Sequence, residues 1–464
     1  MQSVLVEQKM GKFKALISDT VPLYPPLWGG PKRIWNLYSN FSQELFDFIY
    51  IGVKYDLSKM TPYDPSTRTT GFARGLAQDS ARRAKEKMAP RALPVGLHFK
   101  KIRDNFKEVA CALPAHYHLW NIAKRALFRN TPIDLFTSLW MHTDWYFKYA
   151  LNSHKADIMI CSHPWPSLCM DKRKGQMFIY DAHNCEYILM DRILSRHPLK
   201  HWVLRRVKKI EADACKKSDL ILACSENEKN ELLRIYKADP EKIIIVSNGT
   251  NVVTQKSSTD KGEAKKKLGF SSADKIVIFI GAYYKPNIEA VNFIVSKLAF
   301  QLPDFKLLVV GTVADAFKNR KVIPNIRFLG GVSEDILQAA LTAADIAINP
   351  VLEGSGINIK MLDYMSYGLP ILTTSCGARG IDTAQREPFI VSELDEFSDN
   401  IRRIMLKSEL YRKMSQEARE VAGERYNWQA ISKKLQETIL KKMGYKENVH
   451  KTSDYSALSL SSNR

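Results

Sequence analysis

Short apolar runs that stop at glycine recur along this chain, and that rhythm constrains its fold more than any other feature. Ile276–Ile280 ends at Gly281, Leu307–Val310 at Gly311, and Ile326–Leu329 at Gly330. Ile346–Ile348 ends at Asn349-Pro350, and Ile371–Thr374 follows Gly368-Leu369-Pro370. Runs of this length suit strands, and unbroken apolar character marks strands covered on both faces. Segments of helical period, such as Asn287–Gln301 and Glu334–Ala344, lie between them. Strands alternating with helices imply βαβ units, hence parallel sheets with helices on both faces. The first half repeats the theme at Lys14–Ile17, Ile49–Val53, Ile158–Cys161, Phe178–Tyr180, Leu220–Ala223 and Ile243–Val246. Two consecutive doubly wound α/β domains follow, joined near Asn248–Lys266, where polar residues dominate. Ligands gather at the carboxyl ends of the strands in such sheets, so a cleft between two facing domains is the expected site.

Composition limits the environment. With 464 residues, 45% hydrophobic and 25% charged, the chain is neither wholly disordered nor fibrous. No apolar stretch approaches the roughly 18 residues of a spanning helix. The N-terminus, MQSVLVEQKMGKFKALI, lacks the charged and apolar regions of a secretory leader. The seven cysteines are scattered, odd in number and form no CxxC pair. Reduced, buried thiols in a cytoplasmic protein are therefore expected, rather than a disulfide framework or a zinc site. The polar, Ser-rich stretch from about Lys446 reads as a disordered tail.

The formal charge is +20. Such a chain attracts nucleic acid, anionic lipid or phosphorylated small molecules. The excess is uneven, with 11 Lys/Arg against 3 Asp/Glu between Ser66 and Lys107. A solvated loop and helix face would also account for it. No zinc-finger, RNP-like or basic-zipper pattern accompanies the charge, so nucleic acid is not the expected partner.

The segment Asn349–Pro370 carries the most chemistry. It leaves a strand end, passes Glu353 and the turn Gly354-Ser355-Gly356, and becomes helical from about Ile357. Glycines let backbone N–H groups approach a ligand, and a helix N-terminus attracts phosphate through free donors and its dipole. Glu353 is placed to accept hydrogen bonds from sugar hydroxyls. Lys360 and Asp363, three apart, lie near one helix face. One would supply charge for a diphosphate, the other two acceptors for a ribose diol. Taken alone, Gly354–Gly356 would read as no more than a helix start beside a solvated Lys–Asp pair.

In context the chain resembles the retaining glycosyltransferases of family 4, which have the GT-B fold. Their donor site carries a Glu, a Gly-rich turn and a second Glu at the start of the next helix. Here the pair is Glu353 and Asp363, with nine residues between them rather than seven, and Asp as the second acid. The pattern EGSG-(x)3-K of one subset matches Glu353–Lys360. Pro25–Arg33 resembles the family's N-terminal Gly-Gly loop, which makes Gly29 and Gly30 candidates for the donor phosphate or the acceptor. Tyr180–Glu186 resembles the D-x-H-N-x-E strand end that faces the cleft, and so points His183 at the transferred sugar. Val246–Asn251 resembles the P-N-G-V-D crossover segment, and Gly281–Asn287 the opening turn of the C-terminal domain. The phosphate-binding Arg of many members is absent from that turn, leaving Lys285 or Lys360 to supply the charge. Tyr426-Asn427-Trp428 resembles the start of the last helix. Donor choice would fall to Tyr283, Tyr284, Ile357 and Asn358.

The resemblance implies four parts. Residues 1–253 form an N-terminal Rossmann-like, acceptor-side domain, and 254–426 a C-terminal Rossmann-like domain that binds the nucleotide sugar. Residues 427–445 form a helix returning to the first domain, and 446–464 the tail. It also implies transfer from a nucleotide-diphosphate sugar with retention, without metal or other cofactor; no Asp-x-Asp triplet occurs in the chain. The acceptor would be a saccharide or lipid-linked saccharide in cell-surface polysaccharide synthesis. Residues 68–107 would then suit an anionic membrane surface, placing a cytoplasmic protein on the inner membrane face. The alternatives are a basic nucleic-acid-binding protein, a GT-B-fold sugar-nucleotide epimerase, and a scaffold without activity.

Overall fold

A computed structural model describes residues 11–24, 26, 29–54, 97–112, 138–139, 144–195, 197–253, 261–318, 323–354 and 357–445. Its N-terminal sheet has strands β1 (Phe13–Ser18), β2 (Phe46–Lys54), β3 (Leu97–Arg103), β4 (Phe106–Ala112), β5 (Ile158–Ser162), β6 (Met177–Ala182), β7 (Leu220–Ala223) and β8 (Ile243–Ile245). They run in the order β3-β4-β2-β1-β5-β6-β7-β8. All neighbours are parallel except β3 and β4. The C-terminal sheet has β9 (Lys275–Ile280), β10 (Phe305–Val310), β11 (Ile326–Gly330), β12 (Ile346–Asn349), β13 (Ile371–Thr373) and β14 (Phe389–Val391). Its order is β11-β10-β9-β12-β13-β14, parallel throughout.

The apolar runs take both faces of each sheet. In β1, Leu16 enters one core while Ala15 and Ile17 enter the other. In β9, Ile276 and Ile278 alternate in the same way with Val277 and Phe279. The N-terminal sheet is covered on one face by α2 (Trp145–Ser153), α3 (Glu186–Ile193) and α4 (Lys200–Lys217). Helix α1 (Gly29–Tyr38) covers the other, and α5 (Glu226–Tyr236) packs near β7 and β8. The C-terminal sheet is flanked by α6 (Lys261–Lys267), α7 (Lys285–Phe293), α8 (Glu334–Ala343), α9 (Ile359–Ser366), α10 (Ser375–Ala378), α11 (Phe397–Leu406) and α12 (Ser408–Arg425). Helix α7 continues through a π-helical turn, Ile294–Leu298, to Gln301.

The chain then crosses back. Helix α13 (Trp428–Lys442) buries Trp428, Leu435 and Ile439 beside Ile34 and Leu37 of α1 in the N-terminal core. Ser432 donates to the Leu37 carbonyl, and Gln436 Oε1 accepts from Ser42 N. Gly249 makes this crossing possible, because a methyl there would lie 2.7 Å from Trp428 and 2.8 Å from the Tyr426 carbonyl. Gly311 plays a similar part in the second sheet. It holds φ +103°, and a methyl would sit 2.3 Å from the Gly281 carbonyl, so the ends of β9 and β10 close only with glycine.

The structure differs from the sequence expectation at one edge, where the N-terminal sheet is not wholly parallel. The end of the basic stretch, from Leu97 to Lys107, forms the antiparallel hairpin β3–β4 together with residues 108–112. Phe106, Val109 and Glu108 are buried while Phe99, Lys101, Arg103 and Lys107 are exposed, so the segment is a half-buried edge. There Lys100 lies 4.7 Å over the Tyr24 ring, Arg103 4.9 Å over Trp35, and Lys101 pairs with Asp104 at 2.6 Å. Residues 68–96, with Arg82, Arg83, Lys85 and Lys87, lie outside the described residues, as does the tail 446–464. All seven thiols are free. No helix among the described residues is long and apolar enough to cross a membrane.

Candidate active site

Segments that follow strand ends of both sheets meet between the domains. On the N-terminal side, the parallel order β1-β5-β6 sets Asp19, Ser162-His163 and Asp181–His183 next to one another. Asp19 and Asp181 are fully buried. His163 Nδ1 lies 3.1 and 3.2 Å from the two Asp19 oxygens, and its ring centroid is 4.2 Å from that of His183. It holds φ +59°, a conformation unusual for His and costly without support. Ser162 Oγ donates to Asp19 Oδ2 at 3.1 Å and lies 3.0 Å from His183 Nε2. Arg33, buried on α1, donates through Nε (3.1 Å) and Nη2 (2.8 Å) to Asp181 Oδ1, and through Nη1 to Asn248 at 3.2 Å.

The electrostatics of this cluster are divided. Burial opposes the charges of Asp19 and His163, yet their mutual attraction outweighs it. Asp19 is held below its ordinary value and His163 is raised to about 9. His183 goes the other way, lowered by burial and by the cationic His163. Burial lifts the neighbouring Glu186 to about 7. Glu211 is structural: it accepts from the Tyr180 and Tyr236 hydroxyls and from Glu186 N and Tyr187 N, fixing the start of α3.

On the C-terminal side, the loop after β12 carries Glu353, whose side chain is 64% exposed and 3.7 Å from Lys285 Nζ. The Gly354 carbonyl accepts from Arg192 of α3 (2.9 Å) and from Arg379 (2.5 Å), so a group from each domain holds the loop. A cavity of about 270 Å³ adjoins these arginines, between α3, α5 and the Arg379-Gly380 turn. Ser355 and Gly356 lie outside the described residues. Ile357 is buried, and Asn358 Nδ2 donates toward the Cys376 and Gly377 carbonyls, so both side chains anchor the loop to the domain. Tyr284, half exposed, feels the charge of Glu353, while Tyr283 N donates to Thr312. Lys360 donates to Asn287 Oδ1 at 2.7 Å, stands 4.2 Å over the Phe279 ring, and is pushed down to about 7 by desolvation. Asp363 accepts from Thr250 Oγ1 at 3.1 Å and is raised to about 6 by desolvation, against the pull of Lys32.

The two sides touch where α1 and α9 begin. A methyl at Gly29 would lie 3.4 Å from Ile359, and one at Gly30 would lie 3.6 Å from His183 Nδ1. The first turns of α1 and α9 thus meet through Gly29 and Ile359, with Gly30 beside His183 and Lys360 on the first turn of α9; helix starts of this kind favour anionic groups. Lys360 and Asp363 do not serve as a pair. One turns to Asn287, the other to the crossover segment. Sequence reasoning missed Asp19, Arg33, Ser162, His163, Arg192 and Arg379. The only signal for the first, third and fourth was their position just past an apolar run.

Two facing doubly wound domains joined by a returning C-terminal helix define the GT-B fold. The solved structures agree. Sucrose-phosphate synthase from Thermosynechococcus elongatus superposes with a TM-score of 0.67 at 13% identity, covering 94% of this chain and 100% of that one. HepE from Anabaena, in complex with UDP and glucose, gives 0.57 at 12% identity, with 92% and 99% covered. The family models assign residues 113–253 to "Glycosyltransferase Family 4" and 274–407 to "Glycosyl transferases group 1". The chain belongs to this family of glycosyltransferases. The D-inositol 3-phosphate glycosyltransferase of Mycobacteroides abscessus is 22% identical over 268 residues, 54% of this chain and 58% of that protein. Alignments with the curated relatives span only 33% to 58% of their lengths.

Proposed function

We propose that this chain transfers a sugar from a nucleotide-diphosphate sugar to a saccharide or lipid-linked saccharide acceptor, with retention at the anomeric carbon. The observation that carries this reading is the convergence of the α1 and α9 N-termini across the domain boundary, beside Lys360 and His183. Such a junction suits a diphosphate. Free N–H groups and a lysine ammonium can neutralise the charge that builds as the glycosidic bond to phosphate breaks. The donor sugar would then lie between His183 and Glu353. Glu353 would orient its hydroxyls, and His183 would meet the transferred ring. Asp363 Oδ2 would take a ribose hydroxyl. Lys285, within 4 Å of Glu353, would hold that carboxylate in place or meet the phosphate. The UDP and glucose bound to HepE support a nucleotide-sugar donor. Backbone donors and lysines can stabilise the leaving group alone, so transfer is expected to continue in a chelator, without metal or other cofactor.

A membrane-facing role in cell-surface polysaccharide synthesis is part of the proposal, with the protein cytoplasmic and peripheral on the inner membrane face. In addition to the sequence stretch 68–107, helix α4 exposes His201, Arg205, Lys208, Lys209 and Lys216, with Asp213 among them and the 47% exposed Trp202 alongside. Basic residues with an aromatic neighbour suit an anionic lipid surface better than a nucleic-acid groove.

Glu353→Ala tests the reading. Transfer should be abolished while the circular dichroism spectrum and melting temperature stay at wild-type values. Retention of most activity would overturn the role of Glu353. Direct assay of sugar-nucleotide hydrolysis, epimerisation and transfer separates the transferase from an epimerase and from an inactive scaffold.

A further inference from the structure

Hydrogen bonds around His183 can be followed proton by proton. Asp19 is a buried carboxylate and can only accept. It takes bonds from Thr20 N (2.6 Å), His163 Nδ1 and Ser162 Oγ. Ser162 has one hydroxyl proton, and that proton points to Asp19 Oδ2. Its 3.0 Å contact with His183 Nε2 therefore requires the proton of that bond to sit on Nε2. Asp181 Oδ2, buried and without a close hydrogen-bond partner among the described residues, lies 3.6 Å from the same nitrogen and also faces Nε2 as an acceptor. The opposite tautomer would turn a lone pair toward that carboxylate and take the Ser162 proton from Asp19. The ring's other nitrogen, Nδ1, faces the start of α1, where a methyl at Gly30 would lie 3.6 Å from it.

We propose that Asp19 and Ser162 are positioning residues that fix His183 as the Nε2–H tautomer, so that Nδ1 offers a lone pair to a hydroxyl of the sugar in the cleft. His183 then accepts a hydrogen bond; it does not act as a proton donor. The cationic neighbours His163 and Arg33 oppose a second proton on the ring. A side chain at Gly30 would lie in contact with Nδ1, so the glycine leaves room for a ligand hydroxyl on that side. This inference rests on the donor-site reading above, yet the tautomer is measurable without any substrate.

The test is a long-range ¹H–¹⁵N spectrum of the full chain labelled with ¹⁵N-histidine, with His183 assigned by its loss in His183→Gln. The expected result is a pyrrole-like shift at Nε2 and a pyridine-like shift at Nδ1 at neutral pH. A protonated Nδ1, alone or with Nε2, would overturn the proposal. In Ser162→Ala, an Nδ1–H population should appear and kcat/KM for the sugar nucleotide should fall about tenfold, the worth of one hydrogen bond. A Ser162→Ala protein with wild-type shifts and wild-type kcat/KM would also overturn it. Gly30→Ala should keep the wild-type ring shifts while sugar-nucleotide affinity is lost, because its methyl caps Nδ1; unchanged affinity would contradict the lone pair's role. Should the spectrum show the expected tautomer while no sugar nucleotide binds or reacts, the relay stands and the transferase reading falls.

Discussion

Lys360 places its ammonium against Asn287 Oδ1 and the face of Phe279, and desolvation there brings it to about 7. Only the cationic form favours a diphosphate, so nucleotide affinity should fall as pH rises through about 7. Calorimetric titration with a nucleoside diphosphate across neutral pH should show that fall in the wild type, and a weak, flat profile in Lys360→Met. His163 gives a stability prediction of opposite origin. Its folded value of about 9 lies above the roughly 6.5 of an unfolded histidine. Its contribution is therefore fully present below about 6.5 and is lost as pH climbs through about 9. Denaturant unfolding of His163→Gln should show its largest deficit in mildly acidic buffer and little above pH 9. Glu353, Lys360, His183 and the two glycines could be named as candidates from the sequence because each sits inside a local motif. Asp19, Ser162 and His163 could not. Residues 19 and 162 are 143 apart in the chain, and only the strand order β1-β5-β6 brings them together.

At the scale of the element, the strands that read most clearly were those buried on both faces. Strands β5 and β6 are apolar or buried at every position, and their sequence shows it as unbroken runs. The β3–β4 hairpin did not read as strand. It lies at an edge, and adjacent charged residues, Lys100-Lys101 and Lys107-Glu108, interrupt any period of two in its sequence. The crossover shows the converse. The Asn248-Gly249-Thr250 segment resembled a domain crossover, and Gly249 lets Trp428 and the Tyr426 carbonyl approach there. Gly249→Ala is expected to destabilise by about 1–3 kcal/mol, the usual cost of overpacking, in chemical unfolding. Leu435 is 1% exposed in the core that α13 shares with α1, and Leu435→Ala should cost about 2–5 kcal/mol. Little loss from either variant would mean that α13 does not seat on the first domain as described.

Across the whole molecule, the formal charge is +20. The proposed function gives a few cations, Lys360 among them, to the cleft; among the described residues Arg33 and Lys265 are buried within the domains and the other lysines and arginines are partly or fully exposed. Part of the surface excess is already engaged at the β3–β4 edge, through Tyr24, Trp35 and Asp104. If the remainder serves a membrane, changing Arg82, Arg83, Lys85 and Lys87 to Ser should reduce binding to anionic vesicles, at roughly 1 kcal/mol per residue near the surface. Unchanged partitioning in a sedimentation assay would remove that segment from the account. The central claim, that the domain junction binds a nucleotide-diphosphate sugar, has a more direct test. A ligand that binds only the folded state stabilises by about 2.7 kcal/mol at one hundred times its dissociation constant. The full chain should be melted with UDP-, GDP- and ADP-sugars in turn, in chelator. The account predicts a concentration-dependent rise in melting temperature with at least one of them, which Lys360→Met abolishes. A melting temperature unmoved by every one, or a rise that Lys360→Met leaves intact, would contradict it.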